Sequence, residues 1–95
     1  MVIFIAKLVL SCDSNDQGDV IRKAIVKVLK TKQVVCLDFT GVTNVTSSFV
    51  NTALLDLTPD YDLATIKSRV KITKVNRQIG NLIKDRFASE AKMTA

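Results

Sequence analysis

Along the chain, apolar residues alternate between two rhythms, one of strands and one of helices. Residues 2–10 open with Val2-Ile3-Phe4-Ile5 and continue with Leu8-Val9-Leu10. Their β-branched content predicts β-structure, as one bent strand or two short ones. Ser14-Asn15-Asp16-Gln17 then has the form of a capping box, and Asp16 and Asp19 stand where a helix dipole favours negative charge. Val20, Ile21, Ala24, Ile25, Val28 and Leu29 follow at helical spacing as one apolar stripe. Arg22, Lys23, Lys27 and Lys30 face away, and the helix is expected to end near Thr31.

Val34-Val35-Cys36-Leu37-Asp38-Phe39 is nearly continuous in apolar character. That is how a central strand covered on both faces reads, and Gly41 breaks it. Thr46-Ser47-Ser48 are cap formers. Phe49, Val50, Ala53, Leu54 and Leu57 then predict a second helix of about three turns, which Thr58-Pro59-Asp60 ends. From Arg69 to Val75, charged and apolar residues alternate, so a strand with Val70, Ile72 and Val75 inward is expected. Asn76 caps a last helix buried along Ile79, Leu82, Ile83 and Phe87. Gly80 weakens that helix, and residues 89–95 read as a frayed tail.

The order β–α–β–α–β–α implies an α/β layer with a largely parallel sheet. Splitting the first β-segment would give a small mixed sheet of about four strands packed with three helices. With 95 residues, the chain is one domain over 1–95. Aromatic residues are 5% against 47% hydrophobic overall, so the core must be aliphatic. No apolar run approaches the roughly 18 residues of a membrane span. The apolar start is short and broken by Lys7, which argues against a signal peptide. A cytoplasmic protein without membrane attachment is the expectation.

Most catalytic templates fail on this sequence. It contains no His, the commonest general base and a frequent metal ligand. There is no phosphate-binding glycine loop and no Cys/His cluster for zinc. Asp13, Asp16 and Asp19 have a spacing near that of calcium ligands, but Gly18 and the missing Glu break the pattern. The expectation is a non-enzyme with no metal and no cofactor. Cys36 reads as a buried small hydrophobe. Cys12 lies near a loop and is read as inert, with reactivity the alternative.

Charge changes the picture in one place. The excess of +5 falls entirely in residues 61–95, which carry eight basic and three acidic groups. Lys67, Arg69, Lys71, Lys74 and Arg77 are the candidate basic surface. They serve either as a solvated face or as contacts to nucleic acid or an acidic partner.

The segment from Leu37 to Val50 carries the most specific signal. A strand ends in Asp38, a short loop follows, and a hydroxyl cluster at Thr46, Ser47 and Ser48 opens a helix. This order places an acid and a helix N-terminus together at the carboxyl edge of the sheet, where α/β folds put their sites.

Val35-Cys36-Leu37-Asp38-Phe39-Thr40-Gly41-Val42, with Ser48-Phe49, resembles the signature of STAS domains (sulfate transporter and anti-sigma factor antagonist). More closely, it is similar to a divergent bacterial and phage STAS-like family of uncharacterised function. Ser14 to Gly18 and Ile72 to Asn76 agree with that family's helix start and last strand, Asn15 standing where it has Arg. The likeness covers roughly residues 8–88. It implies a regulatory protein-binding module, with a histidine-kinase-like ATPase or a sigma regulator as partner. By position, Ser47 is the residue that anti-sigma factor antagonists present for phosphorylation. Thr46 replaces their Asp, and Phe49 replaces their Gly, which places a ring where a partner backbone would approach. Capping alone is the other reading of Ser47 and Ser48. A nucleic-acid-associated or phage accessory role through the basic third is the alternative function. A homodimer through an exposed strand edge is left open.

Overall fold

In the computed structural model, residues 1–94 are described in backbone and residues 1–89 in side chain. Three strands, β1 (Val2–Phe4), β2 (Val35–Asp38) and β3 (Val70–Thr73), form one sheet in the order β1-β2-β3. Both pairings are parallel, with Ile3 opposite Leu37 and Leu37 opposite Ile72. The helices are α1 (Ile5–Leu8), α2 (Asn15–Leu29), α3 (Ser47–Ala53), α4 (Leu63–Arg69) and α5 (Arg77–Thr94), with a 3₁₀ turn at Leu55–Leu57.

The first correction concerns the sheet, which has three strands rather than about four and is wholly parallel. The register pairs Phe4 with Asp38, and β2 turns away immediately after, at Thr40 and Gly41. A strand continuing past Phe4 would have no neighbour to bond. The chain instead satisfies itself with one helical turn, Val9 N–H donating to Ile5 O at 3.2 Å. Leu8-Val9-Leu10 is therefore not a strand.

The helices number five among the described residues, not three. α2 starts with the expected capping box, in which Ser14 Oγ accepts from Gln17 N–H and Gln17 Oε1 accepts from Ser14 N–H. Its buried face is Gly18, Ile21, Ile25, Val28 and Leu29. Val20 is exposed and lies outside the stripe. The second helix is shorter than three turns. It closes at Leu54 and tightens into the 3₁₀ turn, which lets Leu54, Leu55 and Leu57 all be buried. α4 fills a stretch for which the sequence pattern suggested no element. Asp62 caps it, accepting from Thr65 N–H at 2.7 Å. The tail expected over 89–95 falls on residues whose side chains, from 90 onward, lie outside this description.

One core joins Ile3, Val35 and Leu37 of the sheet to Ile21 and Ile25 of α2, Phe49 of α3, Ile66 of α4 and Ile79 of α5. β2 is the middle strand, but among the described residues it is covered on one face only. Val35 and Leu37 are buried while Cys36 and Asp38 are half-buried. On the same open side β1 presents Val2 and Phe4, 49% and 44% exposed. Apolar content in β2 thus reflects one buried face plus an open face that is also apolar. Cys12 is buried at 3% exposure, in keeping with its reading as inert, whereas Cys36, expected to be buried, is half-buried on the open face.

Candidate functional site

The carboxyl edge of the sheet is built by two loops, residues 9–14 before α2 and 39–46 between β2 and α3. Phe39 O accepts from Val42 N–H at 2.9 Å, closing a turn. Gly41 takes φ +84° within it, a conformation that glycine adopts without steric cost. Thr46 N–H donates to Cys12 O at 3.0 Å, tying one loop to the other. From the opposite side, Asn76 Nδ2 donates to Thr43 O at 3.1 Å and Gln78 Nε2 to Asn44 Oδ1 at 3.2 Å. Asn76 also caps α5, its Oδ1 accepting from Ile79 N–H at 2.8 Å. The second loop is therefore held on both flanks.

Each candidate residue has a defined place at this edge. Thr46 is the N-cap of α3, its Oγ1 accepting from Phe49 N–H at 3.2 Å. Ser47 and Ser48 are the next two residues and both are exposed. Capping thus falls to Thr46, leaving the two serine hydroxyls at the surface. Asp38 ends β2 but turns to its own loop, accepting from Thr40 N–H at 2.8 Å and Thr40 Oγ1 at 2.5 Å. These two bonds, helped by the charge of Lys74, hold its carboxyl below the usual range, though desolvation works against them. Asp38 fixes the loop rather than pairing with the serines. The Phe49 ring is buried at 2% exposure, so it belongs to the core, as its place in the apolar stripe of the helix predicts, and does not stand where a partner backbone would approach.

Beside the α3 tip lies a cleft of about 290 Å³, bounded by Val9, Cys12 and Asp13 on one side and Gly41 to Asn44 on the other. Burial, then the neighbouring Asp13, pushes the Cys12 thiol up to about 11. A protonated thiol is a poor nucleophile and metal ligand. Among the described residues, no polar or charged side chain is buried, and no three Cys, Asp or Glu gather to hold a metal.

The basic candidates do not form one patch. Arg69 is half-buried and committed, donating from Nη2 to Leu29 O at 2.8 Å and Gln33 O at 3.0 Å. Lys67 and Lys71 are exposed on α4 and early β3, whereas Lys74 and Arg77 follow the other end of β3. What sequence reasoning missed is mostly backbone tethering: the Cys12–Thr46 bond has no side-chain signature, and Asn76 gave only its capping signal.

A family model described as a STAS-like domain of unknown function matches residues 17–79, from the first turn of α2 into the first turn of α5. Comparison with curated proteins and with solved structures returned no match. No helix among the described residues is long and apolar enough to cross a membrane.

Proposed function

The chain belongs to the family of STAS-like domains of unknown function, and from that premise we propose that it is a non-enzymatic regulatory module that binds another protein. The contact surface is the tip of α3 with the loop before it. One observation carries this reading: Ser47 and Ser48 stand exposed in the first turn of α3, directly after a loop anchored from both flanks. A pre-ordered surface loses little entropy when a partner docks. The buried Cys12 thiol, pushed up to about 11, stays protonated at neutral pH, which disfavours thiolate chemistry at this edge.

Ser47 is the modification position that the resemblance to anti-sigma factor antagonists suggests. A phosphate there adds roughly −1.5 to −2 charge at the contact surface, enough to alter affinity for a partner such as a histidine-kinase-like ATPase or a sigma regulator. Thr46 occupies the place of the usual Asp, so a kinase acting here reads a different local charge. Asp38 supports the loop through Thr40.

Affinity capture from the native host, with intact-mass measurement, tests the reading. The expected result is a stoichiometric protein partner retained by Ser47→Ala and lost or weakened by Ser47→Glu. Recovery of no stoichiometric partner, or a partner indifferent to charge at both Ser47 and Ser48, overturns it. Nucleic-acid binding is the weaker reading because Arg69 is already committed to two carbonyls and the remaining cations are divided. A gel shift with a clear salt slope would replace the protein-binding proposal.

A further inference from the structure

Well away from the α3 tip, a cavity of about 420 Å³ opens between α4, β3 and the second half of α5. It shares no lining residue with the cleft near Cys12. Leu54, Ile66 and Ile72 line its interior, with Phe87 and Ala88 contributed by α5. Ile72 and Phe87 pack on the core yet remain only half-buried. Apolar surface is thus left uncovered in a concave place, at a volume within the roughly 300–1,000 Å³ of small-molecule sites.

The charged lining has a single sign. Lys67 on α4, Lys71 on β3 and Lys84 on α5 line the cavity from three different elements, and among the described residues no Asp or Glu lines it. Among the described residues none of the three forms an ion pair, the two salt bridges both belonging to Asp19. Lys71 Nζ has only a long 3.4 Å bond to Lys67 O. Three like charges around an apolar hollow repel one another, and an anion placed among them relieves that repulsion. There is one aromatic ring for stacking and no glycine in the lining to bring backbone N–H groups against a nucleotide's phosphates.

We propose that this cavity binds a small amphiphilic anion: an unbranched alkyl chain ending in a carboxylate or phosphate. The chain lies over Leu54, Ile66, Ile72 and Phe87. The head group sits among Lys67, Lys71 and Lys84, taking charge-assisted hydrogen bonds from their ammonium groups. This site is independent of the α3 tip and stands or falls separately from the protein-binding role.

The test is an NMR titration of the full ¹⁵N-labelled chain with decanoate, decyl phosphate, decanol and decyltrimethylammonium, each below its micelle concentration. Saturable shifts at the amides of Lys67, Lys71, Ile72, Lys84 and Phe87 are expected with either anion, and the tighter of the two identifies the head group. Decanol should bind about tenfold more weakly, and the cation not at all. Lys71→Gln with Lys84→Gln should weaken anion binding by about tenfold and leave decanol unchanged. Because both lysines are exposed, these changes leave the core intact. Ala88→Trp, a filling of the cavity mouth, should abolish every ligand's binding without altering the circular dichroism spectrum. Shifts that never saturate, shifts centred on the open sheet face at Val2 and Phe4, equal affinity for decanol and decanoate, or indifference to the lysine changes would each overturn the proposal.

Discussion

Gly18 sets how closely α2 and α3 approach each other. A Cβ built there would stand 2.9 Å from Phe49 O and 2.9 Å from Thr52 Cβ, with Ala53 N at 3.2 Å. Two of those atoms are α3 backbone, so the helix itself would have to move. Gly18→Ala is expected to lower stability by up to about 2 kcal/mol. Overpacking at roughly 1–3 kcal/mol outweighs the roughly 1 kcal/mol that alanine adds to helix propensity. The urea midpoint should fall at constant slope. Lys32 presents the opposite case, holding φ 65° just after α2. Lys32→Gly should raise stability by about 0.5–1 kcal/mol, because the left-handed strain is removed, and a thermal melt will show it. The sequence marked Ser14 as a cap from its spacing to Gln17, a local signal. It gave no equivalent warning for Gly18, whose need for a bare Cα arises from a helix some thirty residues further on.

Arg69 joins elements rather than decorating one. Its guanidinium bonds the Leu29 carbonyl in the last turn of α2 and the Gln33 carbonyl leading into β2. Leu29 O also accepts from Lys32 N–H at 3.1 Å, so the guanidinium adds a second donor to that helix-end carbonyl while tying it to Gln33. Arg69→Ala should cost about 1–2 kcal/mol, read from chemical denaturation, and Arg69→Lys should restore only part, since lysine lacks the planar fork. Acid should loosen the element ends. Thr65 holds the Asp62 carboxyl below the usual range through its side-chain and backbone hydrogen bonds, and Thr40 does the same for Asp38. A depressed native pKa stabilises fully above the ordinary value of about 4 and fades as pH falls through the native one. Urea midpoints should therefore drop on acidification below that value. The gap between wild type and Asp62→Asn should narrow there, since Asn still caps without titrating. α2, with five buried positions, and α3, with three, were legible from periodicity. α4 was not, because it buries only Ile66 and one apolar residue defines no period. The position of Thr46, Ser47 and Ser48 was legible because capping is local. Asp38's allegiance to Thr40 was hidden, since a strand-end acid has several partners within reach.

At the scale of the molecule, apolar run length misleads where a face is open. Val34 to Phe39 suggested two covered faces, yet only one is covered among the described residues. The sequence has no means of separating the burial of Val35 from the exposure of Val34, 47% open to solvent. Edge and centre also differ in protection. β2 bonds a strand on each side, while β1 is a three-residue edge. Hydrogen exchange should find the β2 amides slowest and those of β1 faster by about tenfold or more, as edges open at lower free energy than the centre.

The tethering of the 39–46 loop carries a consequence for how the molecule comes together in time. Both strand pairings join residues more than thirty positions apart, so no hairpin can zip early and each pairing waits on a whole crossover. As the chain is synthesised, the Cys12 anchor is available before Thr46 is made, but the Asn76 anchor arrives only with the start of the last helix. The proposed docking surface is finished late, so a nascent or truncated chain ending before Asn76 carries both serines without the second clamp on the loop that leads into them.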